Sequence, residues 1–123
     1  MTHDVNQRKA GEKWYYYGYL LAFYHDQLNS RERHLVWLEQ VLYLPVDEAK
    51  FGATVQSLLA QGYRKIGFLR IRTVYNLDSF DLTRIAADKG AQIVVEGVLP
   101  IRIVRLSRWS SQENEYLCQF LGK

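Results

Sequence analysis

Apolar positions fall into two regimes along the chain. In the second half they resolve into short elements separated by clear punctuation. Phe51, Val55, Leu58 and Leu59 recur at helical spacing between Asp47, an N-cap residue type, and Gly62, which suits the left-handed residue that closes a helix. This predicts a helix over 47–61. Residues 63–73 carry Ile66, Phe68, Leu69 and Ile71 at both parities, as an inner strand covered on two faces does, with basic ends. Asp78 then caps a helix over 78–89, with Leu82, Ile85 and Ala86 on one side and Gly90 as its terminator. Residues 91–106 read as a strand whose buried half holds Ile93, Val94, Val95 and Val98. Gly97 and Pro100 mark a bulge or bend before Ile101, Ile103 and Val104 continue it. Tyr116, Cys118 and Phe120 alternate with Glu115 and Gln119, giving a C-terminal strand over 114–121 with one buried face. The centre of this pattern is a βαβ unit over 63–106. If its two strands are adjacent and parallel, the crossover is right-handed, and helix 47–61 covers the same sheet.

The first half is ambiguous. Trp14, Tyr17, Leu21, Tyr24 and Leu28 recur at alternating steps of three and four, which predicts an aromatic-rich helical segment over 12–28. The competing reading is a strand, because Tyr15, Tyr16, Tyr17, Tyr19, Phe23 and Tyr24 favour β structure and Gly18 weakens a helix interior. Ser30 suits the cap of a second helix reaching about residue 43, with Leu35, Leu38 and Leu42 on one face and Pro45 ending it. Val36, Leu38, Leu42 and Leu44 also share a parity, so a strand leading into Pro45 is the alternative. Residues 1–13 show no apolar period and read as a polar flexible arm, leaving 14–123 as a single globular domain of the α+β class.

Composition narrows the classes. A chain of 123 residues with 48% hydrophobic and 24% charged positions suits one folded core. Its apolar runs, such as 18–23 and 93–95, fall short of the ~20 residues a transmembrane helix needs. No apolar leader core occurs near the start. Met1 as the native start implies a cytoplasmic protein, and a start that follows a removed leader implies a periplasmic or envelope one. The single cysteine, Cys118, excludes an internal disulfide and a multi-thiolate zinc site. Charge is uneven: residues 64–108 hold nine basic side chains against four acidic ones, whereas residues 1–45 hold five of each.

Two phrases, Gly62-Tyr63-Arg64-Lys65-Ile66-Gly67 and Ala86-Ala87-Asp88-Lys89-Gly90-Ala91-Gln92-Ile93-Val94-Val95, resemble segments of small bacterial envelope proteins and lipoproteins of uncharacterised function. The resemblance covers about residues 47–121. It implies a βαβ-containing domain, tethered in many such proteins by a lipid on an N-terminal cysteine, with no enzyme site to carry over. The chain departs from that pattern in lacking an N-terminal cysteine.

Several constellations carry conceivable chemistry. His25, Asp26, Glu32 and His34 supply metal-ligand types around a turn near Asn29, but their spacing matches no recurring ligand pattern, so no metal or other cofactor is expected. Cys118 shares parity with Tyr116 and Phe120, which predicts a buried thiol rather than a nucleophile. Asp78 with Asp81, and Glu113 with Glu115, fit helix caps or solvated turns rather than acid–base pairs. No phosphate-cradling glycine loop is present, and no catalytic residue is assigned. Trp14, Tyr15, Tyr16, Tyr17, Tyr19 and Tyr24 are too dense for one helix side to hide, which points to a protein partner or self-association, or to packing on both sides inside the domain. The leading expectation is therefore a non-enzymatic interaction or structural module, as a homo-oligomer or part of a bacterial envelope complex. The alternative is a nucleic-acid-binding accessory protein. It would use Arg64, Arg70, Arg72, Arg102, Arg105 and Arg108 with Trp109, joined by Lys65 and Tyr75, and with Asp78, Asp81, Asp88 and Glu96 as potential neutralisers.

Overall fold

The computed structural model describes residues 12–17, 20–27, 37, 40–75, 77–106 and 108–123. Its elements are β1 (Glu12–Tyr17), β2 (Leu20–Asp26), β3 (Leu42–Asp47), α1 (Glu48–Ala60), β4 (Arg64–Thr73), α2 (Ser79–Asp88), β5 (Ile93–Leu106) and β6 (Trp109–Gly122). The strands form a six-stranded sheet in the order β1-β2-β4-β6-β5-β3. All neighbours are antiparallel except β3 and β5. The fold is α+β.

The helices cover opposite faces. Leu82 and Ala86 of α2 pack with Leu69, Ile71, Val94, Cys118 and Phe120, whereas Val55 of α1 packs with Ile93, Val95 and Leu121. Successive residues of β5 and β6 thus feed different cores, as a strand of period two buried on both sides must. Both helices begin and end where their punctuation placed them. Asp78 accepts a hydrogen bond from Phe80 N at 2.9 Å, while Asp47 occupies the N-cap of α1 without a side-chain cap bond. Gly62 and Gly90 sit at φ +99° and +81°, conformations that an L side chain would strain.

Three expectations are corrected. The aromatic segment over 12–28 is not helical: Glu12–Tyr17 and Leu20–Asp26 are paired strands, and β2 pairs in turn with β4 from Leu21↔Arg72 to Asp26↔Gly67. So dense an apolar run satisfies period two as well as period 3.6, and β propensity together with a waiting sheet edge decides between them. The helix expected from Ser30 to about residue 43 falls mostly on 30–36, 38 and 39, outside the described residues. Its last positions, Leu42 and Tyr43, belong to β3, so here the strand alternative holds, and Pro45 lies inside that strand. Leu42 N donates to Gln92 O, so the odd positions turn their amides away from β5, to the edge that no described strand pairs with, and Pro45 removes a donor there.

The third correction concerns the βαβ unit. Strands β4 and β5 do run in the same direction, but β6 lies between them, antiparallel to both. The C-terminal strand is also longer than 114–121. It begins at Trp109, and the polar run Ser110-Ser111-Gln112 that concealed it pairs with β5. The bulge expected near Pro100 falls between Pro100 and Arg102.

Candidate functional site

Strands β5 and β6 outrun their neighbours. Pairing of β3 with β5 stops at Asp47↔Val98, and pairing of β4 with β6 stops at Thr73↔Asn114. Beyond the bulge, among the described residues, the two strands pair only with each other, from Arg102↔Glu113 to Leu106↔Trp109. At ~3.3 Å per residue this two-stranded ribbon continues about 15 Å past the last ladder pairs with β3 and β4. Large apolar side chains here are in solvent: Ile103 is 64% exposed and Trp109 67%, with Ile101 also exposed and Val104 half-buried.

The foot of the ribbon is held by polar contacts. Arg102 Nε lies 2.8 Å from Glu113 Oε1, and Glu113 is itself buried. Gln112 Nε2 donates to Arg102 O and Glu113 O, and Ser111 Oγ donates to Val74 O across to the end of β4. Residues 101–112 include Arg102, Arg105 and Arg108 and no carboxylate. Their three positive charges equal the net charge of the whole chain, +3, so the remainder is balanced.

The seven residues expected to form one basic face are not brought together. Arg105, Arg108 and Trp109 lie towards the ribbon tip, and neither arginine has a carboxylate partner among the described residues. Arg102 stands at the foot. Arg70 Nε and Arg72 Nη2 lie 3.8 and 3.5 Å from Glu115 Oε2, and Arg70 also stacks over Phe23 at 5.5 Å. Arg64 pairs opposite Gly122 at the far end of β4, next to Lys65. The neutralising carboxylates are Glu113 and Glu115, in a strand rather than the solvated turn expected of them. Of the anticipated ones, Asp81 pairs instead with Arg84 at 3.8 Å. Alternation along β6 puts Glu113 and Glu115 on one face, opposite the parity of Cys118 and Phe120 that α2 covers. Arg70, Arg72 and Arg102 therefore line the sheet face beside the ribbon's foot.

Among the proposed partner-interface residues, Trp14, Tyr15, Tyr16 and Tyr17 lie in β1, but their side chains, and Tyr19 altogether, are outside the described residues. Tyr24 is corrected: it is buried in the α2-side core, its ring against Phe120 and beneath Lys89 Nζ at 4.6 Å. A Cβ on Gly67 would come within 2.6 Å of that ring's Cζ, so the close approach requires glycine. Of the suggested metal ligands, His25 and Asp26 lie in β2, and Glu32 and His34 are outside the described residues.

One polar cluster was missed by sequence reasoning. Glu96 is buried at 5% exposure beneath α2 and accepts a hydrogen bond from the Tyr43 hydroxyl. Burial pushes the Glu96 carboxyl above its usual range, the Tyr43 bond opposing it. Burial and then the nearby Glu96 raise the Cys118 thiol, and Tyr43 is raised in the same way. A hint lay in the string Val94-Val95-Glu96-Gly97-Val98, a carboxylate inside a buried strand. Elsewhere, an open groove of about 340 Å³ between α1 and β3 is lined by Leu44, Lys50, Ala53, Thr54, Ser57 and Leu58, with no acid–base pair among them. No helix among the described residues is long and apolar enough to cross a membrane. No family model, no curated protein and no solved structure matches this chain.

Proposed function

We propose that this protein is a non-enzymatic interaction module whose working surface is the β5–β6 ribbon. The observation that carries this reading is a strand pair projecting beyond both neighbours with Ile103 and Trp109 about two-thirds exposed. A two-stranded ribbon is marginally stable by itself, and apolar side chains on it gain nothing from the core. A Trp held on a fixed scaffold is the kind of side chain that anchors an interface. Support also comes from the titratable groups inside the fold. Cys118 is sealed with its thiol raised, and Glu96 is engaged by Tyr43, so neither is set up as a nucleophile or an exposed general base. Self-association through the ribbon, and a place in a bacterial envelope-associated complex as the resemblance implies, belong to the same proposal.

The test separates a binding surface from a structural one. In the double variant Ile103→Thr, Trp109→Ser, stability should stay within about 0.5 kcal/mol of the native chain, as for exposed positions generally. Light scattering should show any self-association of the native chain reduced in the variant. A loss above about 2 kcal/mol would mean that these side chains complete the fold, and the reading would fall.

A further inference from the structure

We propose that the end of the β5–β6 ribbon seats in the headgroup layer of an anionic lipid bilayer, with Ile103 and Trp109 at its apolar boundary and Arg105 and Arg108 against lipid phosphates. This rests on the ribbon being the working surface and adds the chemistry of what it meets.

The ladder register decides which side chains share a face. Directly opposed residues of an antiparallel pair point the same way, and successive residues alternate. Ile103 with Gln112 and Arg105 with Ser110 therefore lie on one face, whereas Arg102 with Glu113, Val104 with Ser111, and Trp109 lie on the other. Ile103 and Trp109, each about two-thirds exposed, thus stand on opposite faces of the same two strands. A folded protein laid against one face would leave the large apolar side chain of the other in water. A headgroup layer surrounds whatever enters it and covers both faces at once. Depth agrees with this. From Ile103 to the turn after Leu106 is about 10 Å of strand, and segments held at a bilayer surface bury their apolar side chains about 5–10 Å into it.

Charge points to the same surface. Residues 101–112 carry three arginines and no carboxylate. Arg102 is engaged by Glu113 at the foot, which leaves Arg105 on the Ile103 face and Arg108 in the turn beside Trp109. Both are exposed, and neither has a carboxylate partner among the described residues, so an anion that binds them breaks no ion pair. Trp suits a membrane–water boundary because its ring is apolar while its indole N–H seeks a polar partner. The long arginine stem lets the guanidinium reach phosphate while its methylenes stay among apolar groups. Nucleic acid would satisfy the two arginines and stack on Trp109, but it offers little apolar surface to an aliphatic side chain such as Ile103.

The experiment mixes the full chain with vesicles of phosphatidylcholine alone, or of phosphatidylcholine and phosphatidylserine in equal parts, and measures the bound fraction by sedimentation across a salt series. The native chain should bind the anionic vesicles at low salt, leave them as salt rises, and bind phosphatidylcholine only weakly. A basic side chain near such a surface is worth about fivefold, so Arg105→Ala with Arg108→Ala should weaken binding about thirtyfold, and Arg105→Lys with Arg108→Lys should keep most of it. Ile103→Thr with Trp109→Ser leaves the charge unchanged and should weaken binding at least about tenfold. Tryptophan emission of the native chain should move to shorter wavelength on adding anionic vesicles, and move less in that variant. The proposal is overturned if the native chain does not bind anionic vesicles at low salt, if phosphatidylcholine alone binds as well, or if the alanine pair binds as the native chain does. It is equally overturned if the Ile103→Thr, Trp109→Ser variant binds unchanged, which would mean adsorption through charge alone. Displacement of the chain from vesicles by a DNA duplex or single strand at lower phosphate concentration overturns it too. These failures leave the interaction reading intact as long as the Ile103→Thr, Trp109→Ser variant keeps its stability, whereas collapse of that variant removes both.

Discussion

Strands β5 and β6 form one antiparallel hairpin with two fates. From Ile93↔Leu121 to Val98↔Tyr116 the pair lies inside the sheet, where Val94, Val95, Cys118, Phe120 and Leu121 are wholly hidden. From Arg102↔Glu113 onward its ladder has no third strand among the described residues, and Ile103 and Trp109 are in solvent. Both halves use β-branched residues freely: Ile93, Val94, Val95 and Val98 in one, Ile101, Ile103 and Val104 in the other. Strand propensity is thus common to both, and what differs is the cover. Helices α1 and α2 and strands β3 and β4 enclose the first half and stop short of the second. Where the cover ends, arginine enters the strand: residues 93–98 contain no basic side chain, and residues 101–106 contain two.

The largest effect should come from truncating the same type of side chain in each half. Phe120→Ala removes a fully buried ring from the α2-side core and should cost about 3–5 kcal/mol in urea unfolding. Trp109→Ala removes a larger ring from the ribbon and should cost no more than about 0.5 kcal/mol. Comparable losses would break the contrast, since they would mean that the ribbon is as much a part of the cooperative core as the body.

A smaller effect sharpens the contrast through pH. The body half carries its one carboxylate, Glu96, buried, and the fold raises its affinity for a proton. Between the ordinary carboxylate value and the raised one, the native state holds more proton than the unfolded chain, so stability falls as pH rises through that window. Its contribution is fully present below the ordinary value and is lost above the raised one. Glu96→Gln keeps an acceptor for the Tyr43 hydroxyl and cannot ionise. It should flatten this part of the profile and be more stable than the native chain at neutral pH by on the order of 1 kcal/mol. Thermal melts across pH check this, and an unchanged profile would show that Glu96 contributes no proton linkage.

The same contrast explains what was legible in the sequence. Elements bounded by Asp and Gly, such as α1 and α2, were readable because caps and terminators act locally, within a turn of the residue concerned. The core of the second half followed from runs such as Val94-Val95. Strands β1 and β2 were not readable as such, because Trp14, Tyr17, Leu21 and Tyr24 fit a helix as well as a strand, and the deciding partner, β4, lies more than forty residues away along the chain. The insertion of β6 between β4 and β5 is likewise a matter of which edges meet. For the candidate site, the arginines and Trp109 were visible as residue types, but their division into a free tip and a neutralised foot depends on Glu113 and Glu115 lying in a strand whose start, Ser110-Ser111-Gln112, is polar.

The smallest effect concerns the junction between the halves. Arg102 and Glu113 meet at 2.8 Å beside the bulge, yet Glu113 is nearly enclosed while the Arg102 side chain is 67% exposed. Solvent around the guanidinium screens the attraction, so a double-mutant cycle on Arg102→Ala and Glu113→Ala should give a coupling below about 1 kcal/mol, smaller still at high salt. The two single losses should be unequal. Removing Arg102 leaves a carboxylate enclosed without its partner, whereas removing Glu113 leaves an arginine that water already solvates, so Arg102→Ala should be the more costly of the two. A coupling above about 2 kcal/mol would place the foot of the ribbon on the buried side of the comparison, because only a pair shielded from solvent reaches that strength.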